Sequence, residues 1–115
     1  MFLSQSSKVY LFTTPTDMRK GFDGLSFLVR QQNLDLFSGD LFVFISKRAD
    51  RIKILTWDRG GLVIWYKRLE KGTFKRLKQD QESKLLLDTG ALLLLLEGLD
   101  PNKVQRPKRW VPNSV

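Results

Sequence analysis

Neither cysteine nor histidine occurs in this chain of 115 residues. The first absence excludes disulfides and thiolate metal sites, and the second removes the commonest metal ligand and general base. Zinc chemistry and Ser/His or Cys/His triads go with them. No window reaches the roughly 18 consecutive apolar residues a membrane span needs. The leading MFLSQSSKVY has no cationic start followed by a long apolar stretch. No membrane partner is therefore expected, and a cytoplasmic location is the default. Acidic residues are scarce as well: 12 Asp and Glu stand against 20 Lys and Arg, for a formal charge of +8. Such a surplus attracts polyanions, which makes nucleic acid the leading partner class and solubility alone the bland alternative.

What is present reads as one folded unit. Apolar residues make up 42% of the chain, enough to argue against general disorder. The expected organisation is a single α+β domain over residues 1–100, with a basic, proline-containing tail at 101–115. VYLFT at 9–13 is β-branched and aromatic and stops before Pro15, as a short strand does. Apolar residues at 18, 22, 25, 28 and 29 then trace one face of a helix running from Met18 to about Gln31. Thr16 and Asp17 supply capping residue types, and Met18, Phe22 and Leu25 are its expected core face. Arg19 and Asp23 are spaced to pair, and Gly21 and Gly24 are expected to let the helix lie close to a sheet.

LFVFIS (41–46), RIKILTW (51–57) and LVIWYKRL (62–69) read as three antiparallel strands joined by tight hairpins, the second closed around Arg59-Gly60. Symmetric closure pairs Phe42 with Leu55 and Arg51 with Arg68. That register puts Leu41, Val43, Ile45, Ile52, Ile54 and Trp65 on an aliphatic face, and aromatics with cations on the other. TFKRL at 73–77 is a candidate fourth strand, and 78–84 reads as a polar linker. A second helix is expected from near Asp88 to Gly98, with Pro101 beyond it. Its five leucines, 92–96, are apolar all round, so it is buried, wedged between elements, or set at a contact that leaves room for a homodimer. The fold class is therefore α+β: an antiparallel sheet of four to five hairpin-built strands carrying two helices.

Catalytic constellations are missing. Asp50 and Asp58 bound one strand, about 25 Å apart at the usual rise, and cannot share a metal. GFDG at 21–24 is too short for a phosphate-cradling loop, and GxGxxG does not occur. No enzyme activity and no cofactor are expected. The basic arrays are the stronger signal. Lys47, Arg48, Arg51 and Lys53 belong to the first hairpin, and Arg59 sits at the tip of the second. Lys67, Arg68, Lys71, Lys75, Arg76 and Lys78 form a further run. Arg51 opposite Arg68 is a like-charge pair, which destabilises a sheet unless something anionic is bound. With Arg19 and Lys20 these cations, Lys78 apart, are the candidate nucleic-acid contacts. Phe42, Phe44, Trp57 and Tyr66 could stack bases, or a helix could cover them.

DMRKGFDGL (17–25), LFVF (41–44), RIKILTWDRGG (51–61) and YKRLEKGTF (66–74), in this order and spacing, resemble the TnpB-type accessory protein of IS66-family insertion sequences, encoded by the second open reading frame. The resemblance covers Val9 to about Phe74, with an echo in LLLLLEGLD. It implies a small protein that acts beside a separate, larger transposase, the catalytic carboxylates lying in the transposase. The expected function is thus a non-catalytic accessory factor in transposition that binds transposon-end DNA. The alternative is a module that docks on the transposase without touching DNA.

Overall fold

The computed structural model describes residues 7–77 and 82–103. Its elements are β1 (Val9–Phe12), α1 (Phe22–Gln31), β2 (Leu41–Ile45), β3 (Arg51–Asp58), β4 (Gly61–Arg68), β5 (Lys84–Leu87) and α2 (Thr89–Leu96). The strands form one sheet in the order β4-β3-β2-β1-β5. The fold is α+β as expected. Its sheet is mixed, because β1 and β2 run parallel, with Val9 opposite Leu41. Parallel neighbours need a crossover, and α1 with its flanking loops provides it. The other pairings are antiparallel.

The hairpin register is the one the sequence implies: Phe42 faces Leu55, and Arg51 faces Arg68. Arg59 and Gly60 both take positive φ, at 46° and 89°, the geometry that matches a two-residue turn to strand twist. The sheet accordingly separates two cores. Val9, Leu11, Leu41, Val43, Ile45, Ile52 and Ile54 pack under Leu92, Leu95 and Leu96 of α2, with Phe74 and Leu77 closing one side. Phe12, Phe42, Phe44 and Leu55 pack under Leu25 and Val29 of α1. A helix therefore covers Phe42 and Phe44, and neither can stack on a ligand.

Four local expectations are corrected. Helix α1 starts at Phe22, with Gly21 as its cap residue and no side-chain capping bond, so Thr16 and Asp17 do not cap it. Phe22, one turn before Leu25, is half exposed. The glycines do not serve close packing on the sheet: nothing lies within 4 Å of a Cβ placed at Gly21, and one at Gly24 would meet the Lys20 side chain at 3.0 Å. Residues 73–77 are not a strand; the fifth strand is Lys84–Leu87, inside what reads as linker and helix onset. It forms because Leu85 and Leu87 drop into the α2-side core while its backbone pairs with β1. The rest of the expected linker, 78–81, and the tail from 104 onward lie outside the described residues.

Candidate nucleic-acid interface

Three chain segments meet at the end of the sheet where β2 turns into β3. The turn is organised by Ser46, whose Oγ accepts the Arg51 amide at 3.1 Å and donates to Asp50 Oδ1 at 3.3 Å. Ala49, with φ 61°, completes the reversal. The loop from β1 reaches the same place, since Thr16 N donates to the Ile45 carbonyl at 2.9 Å. So does the segment after β4: Leu69 N donates to Asp50 O and Phe74 N to Ala49 O. Lys47 and Arg48 project from the turn, exposed, with Lys71 and Lys75 exposed on the adjoining segment.

The register places Arg51 and Arg68 directly opposite each other beside this turn. Among the described residues only one has an acidic partner: Arg68 Nε binds Glu70 at 3.0 Å, whereas Arg51 Nη1 reaches the Tyr66 hydroxyl at 3.5 Å. An open depression of about 530 Å³ lies between turn and loop, lined by Pro15 to Met18, Ser46 to Arg48, Asp50 and Arg51. A second, of about 330 Å³, is lined by Arg51, Tyr66, Arg68 and Glu70. Arg51 belongs to both.

Other cations in the sequence pattern have structural partners. Lys53 is only 8% exposed, and its Nζ donates to the carbonyls of Met18 and Lys20 at 2.7 and 2.8 Å. Lys67 Nζ donates to Leu96 O at 2.8 Å, against the C-terminal end of α2. Arg76 Nη2 donates to the carbonyls of Ser46 and Lys47, clamping the turn. Arg19 pairs with Asp17, not with Asp23: its Nη2 lies 2.7 Å from Asp17 Oδ2. Hydrogen bonds from Arg19 hold the Asp17 carboxyl down to about 2, from an ordinary 3.8. Lys20 turns away along α1, into a depression shared with Phe12, Leu28 and Gln32. Arg59 occupies the tip of the β3–β4 turn, at the opposite end of the sheet. Lys78 lies outside the described residues.

Sequence reasoning missed Asp17 and Ser46 as organisers. The spacing of Ser46 and Asp50 around a KRA tripeptide was the available signal, since a hydroxyl and a carboxylate four apart can brace a tight turn. Trp57 is also accounted for, packed edge-on against Phe37 with ring centroids 5.0 Å apart. Among the described residues no group of three or more acidic side chains is placed to hold a metal ion, and no helix is long and apolar enough to cross a membrane.

Fold and site together define a small mixed-sheet α+β protein with cations concentrated on one end of the sheet. The match to the IS66 Orf2-like protein family spans residues 7–106, and the chain belongs to that family. Membership assigns it a transposition-associated accessory role. Two proteins of Sinorhizobium fredii are similar over nearly their whole length. The uncharacterized protein y4jC is 36% identical over 113 residues, 97% of this chain and 96% of its own. The uncharacterized protein y4hO is 30% identical over 112 residues, 96% and 95% of the two chains. No solved structure matches the chain.

Proposed function

We propose that this protein is a non-catalytic accessory factor that holds transposon-end DNA by its phosphate backbone while a separate transposase cuts and joins the strands. The observation that carries the reading is the convergence of Lys47, Arg48 and Arg51 from the β2–β3 turn with Arg68, Lys71 and Lys75 from the end of β4 and the segment after it onto one end of the sheet. Arg51 and Arg68 face each other there with, among the described residues, a single acidic partner between them, a costly arrangement that bound phosphates relieve. Arg19, paired with Asp17 at the edge of the larger depression, is an outlying contact, whereas Lys20 turns away from it along α1. Lys53, Lys67 and Arg76 support the scaffold, and Arg59 stands apart.

Titration of labelled DNA between 50 and 200 mM salt tests this. With about six phosphates neutralised, log affinity falls against log salt with a slope of about −5 on duplex. Absence of binding at low salt refutes the proposal. The second reading, docking on the transposase, is favoured by Leu93 on α2 and Leu99 just beyond it, both exposed although neighbouring leucines fill the core. Co-purification with the transposase in high salt, without retained DNA, would select it.

A further inference from the structure

The α1 side of the sheet carries four side chains that α1 leaves uncovered or covers only through its approach loop. Lys53 faces Tyr66 across β3 and β4, and Arg51 faces Arg68 one step further along. Alternation within the strands puts all four on one surface. Helix α1 seals the rest of this surface over Phe42, Phe44 and Leu55. Tyr66 remains 49% exposed. Its ring is braced on one side by Lys53 Nζ, 4.7 Å from the ring centroid. That nitrogen is itself anchored on the Met18 and Lys20 carbonyls, so the brace is rigid.

An exposed, braced aromatic ring beside a facing pair of guanidinium groups has a definite chemistry. The ring offers a π-face to any base, and the guanidinium groups match phosphates in a bidentate way. Of the four aromatics that the sequence places on this side of the sheet, Phe42 and Phe44 are buried and Trp57 is taken up by Phe37. Tyr66 alone of these opens onto the depression between Arg51, Arg68 and Glu70, of about 330 Å³. Arg51 then joins this depression to the larger one beneath Lys47 and Arg48. A strand crossing both would meet an aromatic platform and a row of phosphate seats in succession. A duplex keeps its bases stacked inside and cannot use the platform.

We propose that Tyr66 stacks an unpaired base while Arg51 and Arg68 hold the flanking phosphates, so that the cationic end takes single-stranded or frayed DNA in preference to intact duplex. This rests on the DNA-binding reading above and specifies its ligand. The test uses the full chain and three labelled ligands of about twelve nucleotides, a length within the range of compact single-strand sites. These are an oligothymidine, a strand of equal charge with abasic positions, and a duplex. The intact strand is expected to bind roughly tenfold more tightly than the abasic one, the effect of one stacked base. Tyr66→Leu abolishes that preference, Tyr66→Phe retains it, and both keep the salt slope of the natural protein.

Equal affinity of the natural protein for intact and abasic strands overturns the stacking role and leaves phosphate binding standing. No binding of any ligand at low salt overturns both. Because the intact and abasic strands are compared on the natural protein, a Tyr66→Leu chain that fails to fold does not blunt the test. Displacement of the strand by thymidine monophosphate at equal nucleotide concentration would mark a free-nucleotide site and overturn the assignment to a polymer.

Discussion

Lys53 shows how little a residue's type says about its use. In RIKILTW it is a cation inside a strand, on the face shared with Arg51, and it reads as a phosphate contact. In the fold its head lies under Tyr66 and bonds two carbonyls of the loop that leads into α1. A buried ammonium is costly unless it is well bonded, and these partners supply the bonding. Lys53→Met keeps the apolar stem and removes the bonds, leaving the Met18 and Lys20 carbonyls without this donor. The expected loss is about 2 kcal/mol, read as a lower urea midpoint at unchanged m-value. An unshifted midpoint would show that the two bonds contribute nothing net. Arg19 makes the opposite point: it is exposed, and its proximity to Asp17 follows from a tight local turn that helix spacing alone does not suggest.

At the scale of elements, the central strands β2 to β4 were the most legible part of the chain, the two ends of α2 were legible as well, and β5 was the least. Asp88 caps α2 by accepting the Ala91 amide at 2.7 Å. The helix ends at Leu96 and is closed two residues on by Gly98, whose φ of 82° lets Gly98 N bond Leu95 O and Leu99 N bond Leu94 O. This paired closure satisfies two end carbonyls, and Lys67 satisfies that of Leu96. Gly98→Ala meets only ordinary contacts, with Leu69 Cδ1 at 3.6 Å, so its cost is backbone strain. We expect a loss of roughly 1 kcal/mol by thermal or urea unfolding, and a neutral result would mean that the closure is dispensable. Capping is a local code and can be read from a few residues. Strand β5 has no such code: KLLL runs into a leucine-rich helix without a change of composition, and its strand character comes from pairing with β1, more than seventy residues earlier. The same limit hid the parallel pairing of β1 with β2, because VYLFT and LFVF carry no mark of relative direction.

For the whole molecule, what matters is where the excess charge lies. The 8-residue strand β3 separates the Arg59 turn from the Ser46–Asp50 turn by about 25 Å, more than twice the Debye length at physiological salt. The two ends of the sheet are thus electrostatically independent at moderate ionic strength. Arg48→Ala is expected to reduce the magnitude of the salt slope for DNA by about one, uniformly across DNA sequences, as loss of a phosphate contact does. Arg59→Ala should leave the slope unchanged. An equal loss from both would show that DNA binding is spread over the molecule rather than held at one end.

The amino-acid order by itself determined the hairpin register, the two-face division of the central strands, the caps of α2 and the absence of thiol and imidazole chemistry. Each of these depends on residue identity or on interactions between near neighbours, and a period of two or a capping pair needs no knowledge of distant chain. Only the tertiary structure decided which cations are bonded to carbonyls and which stand open, where Arg59 lies relative to Arg48, and that Tyr66 escapes the helix covering Phe42 and Phe44. Those outcomes turn on which segments meet at the end of a sheet. Such a meeting is settled by the packing of whole faces, to which a side chain's own identity contributes only a small part.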